Sequence, residues 1–257
     1  MRVRQFAHTF GSRALKTAFY GAVFLFFIAP LLRLLLMSFA GEAGYDASHY
    51  VRLLAEERTR LAVRNTAIIG TSATAFSVLF GGGFAFLVAY ANLKRRRLAE
   101  VLILLPFIIP SYIITLSWTG LLSGNGAINT WLTSAGLPAV NLYSMGGIIF
   151  VHGMCATPIV YMIVKAMLRR IPVDLEWASM AAGYTRRQTM LRINLALAAP
   201  AVASGAMLSF LATIDNFSIP AFLGISSGIP VLSTYIYEKA IGFGPSSFSD
   251  AAVLSVL

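Results

Sequence analysis

An all-α, multi-pass membrane protein is the fold class the sequence predicts, and three observations carry that reading. Of the 257 residues, 58% are hydrophobic and only 12% are charged, with a mean hydropathy of +0.76. A soluble domain carries about 25% charged residues. Five apolar stretches reach the roughly 20 residues that a helix needs to cross a bilayer core. The basic residues fall in short runs between those stretches, with no polar domain or aromatic interleaving, so the net charge of +10 is a membrane pattern and excludes nucleic acid as a partner.

The predicted spans run from Thr17 to Phe39, Asn65 to Leu93, Leu98 to Leu122, Ser144 to Leu168 and Leu191 to Ala212. A sixth opens near Phe248 and is still apolar at Leu257. Backbone cannot end unsatisfied inside hydrocarbon, so the expectation is a piece of a longer protein. The first stretch runs too long for a secretory signal and lacks a small-residue cleavage site, so it reads as a retained anchor. Cys155 has no second cysteine to pair with and no nearby ligand set, and it reads as a packing residue. No metal site, cofactor or catalytic set is predicted. His152 and Cys155 are the span-embedded candidates for chemistry, and they lack a third partner.

Lysine and arginine set the predicted orientation. Arg2, Arg4, Arg13 and Lys16 precede the first span, Lys94 to Arg97 follow the second, and Lys165, Arg169, Arg170, Arg186, Arg187 and Arg192 follow the fourth. If every stretch crosses once, all three groups share one side, which is then cytoplasmic together with the N-terminus. On the other side, Glu42, Asp46, Glu56 and Glu57 offset Arg52, Arg58, Arg60 and Arg64. Arg33, within the first span, is expected to snorkel to the headgroups. The segment from Ala47 to Val63 spaces Tyr50, Leu53, Leu54 and Leu61 as an amphipathic surface helix would, and Gly124-Asn125-Gly126 predicts a turn in the outer loop from Ser123 to Tyr143.

The longest inner loop, Arg169 to Asn194, has clear local signals. Pro172 stops the fourth span's helix. Asp174 is placed to cap a helix over Leu175 to Ala182, and Gly183 suits its C-terminal stop. Thr185 and Gln188 have capping-box spacing ahead of the helix that becomes the fifth span. Leu175, Trp177 and Met180 are then available either to a partner or to lipid headgroups.

This loop resembles the cytoplasmic coupling loop of binding-protein-dependent ABC importer permeases, with its Glu-Ala-Ala…Gly…Ile-x-Leu-Pro signature. Gly183, Ile193 and Leu195 keep the spacing. Trp177-Ala178-Ser179 occupies the Glu-Ala-Ala positions, Glu176 lies one residue early, Ala196 replaces the proline, and Pro200 matches a proline common slightly further on. Arg64-Asn65-Thr66 and the run from Asp215 to Gly224 are similar to segments of the iron(III), thiamine, phosphonate and polyamine branch. The resemblance covers about 65 to 257 and implies a six-helix ABC importer transmembrane domain with a truncated last helix. It implies a first region, 1–64, holding the tail, first span and amphipathic segment, and a core permease domain, 65–257, with its coupling loop at about 169–190.

It further implies cytoplasmic ATP-binding subunits coupled through Leu175, Glu176, Trp177, Ala178, Ser179, Gly183, Ile193 and Leu195, with Glu176 supplying the family's acidic contact. A periplasmic solute-binding protein and a second permease half, fused or separate, complete the machine in the inner membrane. An N-terminal half of a double-length permease and a truncated single-length permease both fit. Iron(III) is the leading substrate expectation, ahead of thiamine, aminophosphonate or polyamine. Asp215 and Asn216, at the outer end of the fifth span, are candidates for the substrate path, with a solvated loop start as the alternative.

No Gly-x-x-x-x-Gly-Lys-[Ser/Thr] loop is present, so the chain cannot hydrolyse ATP by that route. Gly81-Gly82-Gly83 lies mid-span and reads as close helix packing. The alternative to the importer is an ion-gradient-driven secondary transporter, which calls for paired carboxylates or broken helices at the midplane, and the sequence indicates neither.

Overall fold

The computed structural model describes residues 15–41, 44–91, 93–242 and 247–257. Arg2, Arg4, Arg13 and Glu42, used above for orientation, lie outside the described residues. The elements are α1 (Leu15–Ser38), a two-residue antiparallel pair β1 (Ala40–Gly41) and β2 (Gly44–Tyr45), and α2 (Ser48–Ala55). They continue with α3 (Glu57–Tyr90), α4 (Arg96–Ile108), α5 (Ser111–Leu121), α6 (Ala127–Ser134), α7 (Met145–Leu168) and α8 (Val173–Ala181). Last come α9 (Arg186–Asp215), the π-turn α10 (Pro220–Gly224), α11 (Leu232–Ile241) and α12 (Ser247–Val256). Among the described residues, α1, α3, α7 and α9 are each long and apolar enough to cross a membrane alone.

The third predicted span is not one helix. α4 and α5 meet at an angle of 107° around Ile109 and Pro110. Proline removes a donor and pushes its predecessor out of the helical region, and Ile109 is extended, with φ −82° and ψ 130°. The expectation that the sequence holds no broken helix is therefore wrong at this span.

The chain divides into two compact units, Met1–Arg60 with Tyr235–Leu257, and Leu61–Thr234. In the first, α12 packs on α1 and α2. Its buried Asp250 gathers Arg52 (2.5 Å), His49 (3.2 Å) and Lys239 (3.8 Å), while Glu56 accepts from Tyr235 at 2.7 Å. The expected single amphipathic helix breaks at Glu56, which is extended between α2 and α3. Asp46 accepts from the Ser48 hydroxyl (2.7 Å) and backbone N–H (3.0 Å), and these bonds hold its carboxyl below the usual range.

In the second unit α7 is the hub, with α3, α4, α5, α9 and α10 packed on it. Close approach is bought with small residues. A Cβ on Gly81 of α3 would lie 2.5 Å from the Thr157 carbonyl oxygen of α7, and one on Gly153 would lie 2.5 Å from the Phe76 ring. Gly81 thus makes the packing contact expected of the glycine triplet, whereas Gly83 is exposed. His152 is buried, and its Nε2 has no hydrogen-bond partner among the described residues. The outer loop contains α6 in addition to the expected turn. Buried Asn129 staples it, donating to the Leu122, Ser123 and Val140 carbonyls and accepting from the Val140 N–H.

Candidate functional site

The inner loop folds as a short helix, a tight reversal and a long helix. α7 ends at Leu168, and Pro172, in an extended conformation, opens α8 two residues earlier than expected. Asp174 sits inside the first turn rather than capping it, because the proline already ends the preceding helix and takes the cap position. The carboxylate still lies at the favourable end of the helix dipole.

Gly183 closes α8 with φ +91°, a conformation that costs a residue bearing a Cβ. The Gly183 N–H donates to the Met180 carbonyl at 3.0 Å and the Tyr184 N–H to the Ser179 carbonyl at 3.2 Å, the paired bonds of a Schellman stop. The chain then restarts on the predicted capping box. The Gln188 N–H donates to Thr185 Oγ1 at 3.3 Å, and the Thr185 N–H donates to Gln188 Oε1 at 2.8 Å.

α8 has two unlike faces. Val173, Trp177 and Met180 follow the i, i+4, i+7 spacing of one face and are exposed, Trp177 at 61%; Leu175 is exposed on the opposite flank. Ala178 is also exposed. The other face is tied to the long helices by polar contacts. Ser179 is buried and shares a 2.8 Å hydroxyl contact with Thr189 of α9. Glu176 is half-buried and its Oε1 accepts from Asn194 Nδ2 of α9 at 2.8 Å. The same Asn194 amide nitrogen donates to the Tyr90 hydroxyl of α3 at 2.6 Å. The structure thus turns Glu176 toward its own chain, while Trp177 and Ala178 face outward.

Asn194 closes a π-helical turn, Met190–Asn194, which also carries Ile193; Leu195 follows it and is exposed. The π-turn is a local widening of a kind that is frequent at functional sites. The Arg192 guanidinium lies 5.5 Å from the centroid of the Tyr184 ring, within cation–π range.

Besides Asn194, two further residues that the sequence did not single out, Tyr90 and Glu100, complete this end of the unit. Tyr90 joins α3 to the loop through both its hydroxyl and its carbonyl, the latter accepting from Arg186 at 3.2 Å. Glu100 of α4 is surrounded by Lys165 (2.9 Å), Arg96 (3.2 Å) and Arg169 (3.7 Å), which ties α4 to the end of α7. A lone acid four residues after Arg96, and an asparagine at the start of an apolar helix, are the signals that could have drawn attention to Glu100 and Asn194.

The two candidate path residues differ. Asn216 is a structural staple: its Oδ1 accepts from the Ile219 N–H at 3.1 Å, and its Nδ2 donates to Ser111 at the head of α5, also at 3.1 Å. Asp215 is exposed and lines a groove of about 570 Å³ with Phe107, Met162 and Leu211.

Residues 77–248 match the family described as binding-protein-dependent transport system inner membrane component. Among curated relatives, a putative 2-aminoethylphosphonate transport system permease of Salmonella choleraesuis is 30% identical over 78% of this chain and 71% of its own length. A putative ferric transport system permease of Haemophilus influenzae is 24% identical over 84% of this chain, and the sulfate transport system permease of Escherichia coli is 25% identical over 90% of this chain and 84% of its own length. The chain spans about a third of the length of the ferric transport permeases it matches (34% and 32%).

The fold is shared with a bacterial alginate ABC transporter chain at TM-score 0.80 and 21% identity, covering 98% of this chain and 89% of that one. A methionine ABC transporter chain in an inward-facing conformation gives TM-score 0.56 and 22% identity, covering 76% and 86%. The extent of the family match, together with apolar helices built to cross a bilayer, establishes that this chain belongs to the binding-protein-dependent inner-membrane permeases of ABC importers, as a multi-pass inner-membrane component.

Proposed function

We propose that this chain forms half of the translocation path of an ATP-driven solute importer, and that α8 is the seat for a cytoplasmic ATP-binding subunit. The observation that carries the reading is the division of α8 into an exposed apolar face and a face tied to α3 and α9 through Glu176, Ser179 and Asn194. A helix that merely rested on headgroups would need no such bonds. A force on Trp177 or Met180 passes through them into two membrane-spanning helices. In this reading Glu176 is a positioning residue rather than the acidic contact itself, and the N-terminus is cytoplasmic.

The remaining parts of the machine follow from the family. A periplasmic solute-binding protein would deliver the solute, and a second permease half would complete the path. Iron(III) is the proposed substrate, supported by the ferric transport relatives; 2-aminoethylphosphonate is the second reading, favoured by the relative of higher identity. Asp215 is the proposed path residue, with Asn216 holding the geometry beside it.

Copurification of tagged full-length protein from membranes tests this directly. An ATP-binding subunit, identified by mass spectrometry, should accompany the wild type, and Trp177→Ala with Met180→Ala should lower its recovery at least about tenfold, as expected when large apolar anchors leave an interface. Recovery of the chain alone, with uptake that persists in ATP-depleted membranes, would favour the gradient-driven carrier, whose broken helices the α4–α5 break resembles.

A further inference from the structure

We infer that the groove between the end of α3 and the start of α9 is a binding site for one anionic phospholipid of the surrounding bilayer. The groove has a volume of about 530 Å³. Its floor is apolar, formed by Gly83, Phe86, Leu87 and Ala91 of the α3 side and Met190 of α9, with the Phe86 and Tyr90 rings stacked at 6.0 Å. Its rim is basic, formed by Arg186 and Arg187.

The two arginines are held differently. Arg186 donates one N–H to the Tyr90 carbonyl at 3.2 Å, which uses one of the guanidinium's five donors and fixes the group over the groove. Arg187 is exposed and has no hydrogen bond or ion pair among the described residues. Just past Ala91 the chain adds Lys94, Arg95 and Arg97, all exposed, whereas Arg96 is paired with Glu100 at 3.2 Å. An apolar slot under a fixed guanidinium, with the exposed Arg187 on the same rim, matches an acyl chain attached to a phosphate headgroup. Basic pockets between spanning helices recognise such headgroups, and guanidinium pairs well with phosphate oxygens. A free phosphate would gain nothing from the apolar floor.

Room for the chain is visible at Gly83. A Cβ built there meets nothing within 4 Å, unlike Gly81 two residues earlier, which is packed against α7. The site also touches the loop described above, because Tyr90 holds Arg186 with its carbonyl and Asn194 with its hydroxyl. A bound headgroup would stabilise that end of α9. The inference needs only the placement of α3 and α9 in a membrane, so it stands or falls separately from the docking of an ATP-binding subunit.

The test is native mass spectrometry of the purified full-length protein, titrated with phosphatidylglycerol or with phosphatidylcholine of the same acyl composition. The site predicts preferential retention of phosphatidylglycerol. Arg187→Gln should weaken that preference about fivefold, the factor expected for one basic residue beside an anionic headgroup. Gly83→Leu should lower phosphatidylglycerol retention with every charge left in place, because its side chain fills the slot. Arg60→Gln, an exposed charge away from the groove, should change nothing, and thermal melts would confirm that each variant is folded. Equal retention of the two lipids by the wild type would overturn the inference. So would wild-type retention in both groove variants, or a photo-crosslinker at 187 that captures an ATP-binding subunit in membranes instead of lipid.

Discussion

Helices α1 and α7 are both 24 residues long and similarly apolar, yet they live in opposite surroundings. In the most apolar stretch of α1 nothing is buried, while 61% of that of α7 is buried within the protein. The residues explain the difference. α1 is made of large side chains such as Phe24, Leu25, Phe26 and Phe27, all exposed, whose natural neighbour is lipid. α7 carries Gly147, Gly153, Ala156 and Thr157, small buried residues that let neighbours come close: the Phe76 side chain sits on Gly153, and Gly81 lies against the Thr157 carbonyl. Hydropathy thus reports that a helix enters a membrane, and the distribution of small residues reports whether it meets lipid or protein.

That contrast is easiest to break at the glycine contacts. Gly81→Val or Gly153→Leu should destabilise the protein by about 3 kcal/mol, because the α7 backbone cannot retreat and the clash at Gly153 falls on the Cβ and Cγ of Phe76, the anchored base of that side chain. The readout is the melting temperature of the purified protein in detergent, and a wild-type melt would refute the packing described for α7. Gly183→Val comes next, at about 1–2 kcal/mol, since a β-branched residue must adopt the left-handed conformation that ends α8. Its signature should be local: faster proteolysis of the inner loop, with little change in the melt of the spans.

Asn194→Leu should cost about 1–2 kcal/mol by leaving Glu176 and Tyr90 without their shared donor. Uptake per ATP hydrolysed should fall in this variant while the amount of protein in the membrane is maintained. Unchanged coupling would remove Asn194 from the transmission route. Smallest of all, Phe26→Leu in α1 should shift the melt by no more than about 0.5 kcal/mol, since an exposed apolar side chain is exchanged for another. A large loss there would mean that α1 has a protein partner.

The comparison also marks what could be read from the chain alone. The long spans were legible because twenty apolar residues have few other uses, and the loop's turn chemistry was legible because Gly183, Thr185 and Gln188 act within a few residues of themselves. The break at Pro110 hid inside an otherwise continuous apolar run, although Pro106 and Pro110, one turn apart, were the available warning. Longer-range partners were not legible. Asp250 meets Arg52 198 residues away, and Asn194 brings together Tyr90 and Glu176 from different helices. Such pairings depend on packing that no local pattern encodes. For the same reason Glu176 looked like an outward-facing acid from the motif register, whereas the 2.8 Å bond to Asn194 turns it inward.

The central claim is that the outward face of α8 receives an ATP-binding subunit. Photo-crosslinking from position 177 of the full-length protein in native membranes addresses it most directly, with position 176 as the comparison. A crosslink from 177 to an ATP-binding subunit, with 176 yielding little, is the predicted result. Crosslinks from 177 to lipid alone, in membranes where the ATP-binding subunit is present, would contradict the account.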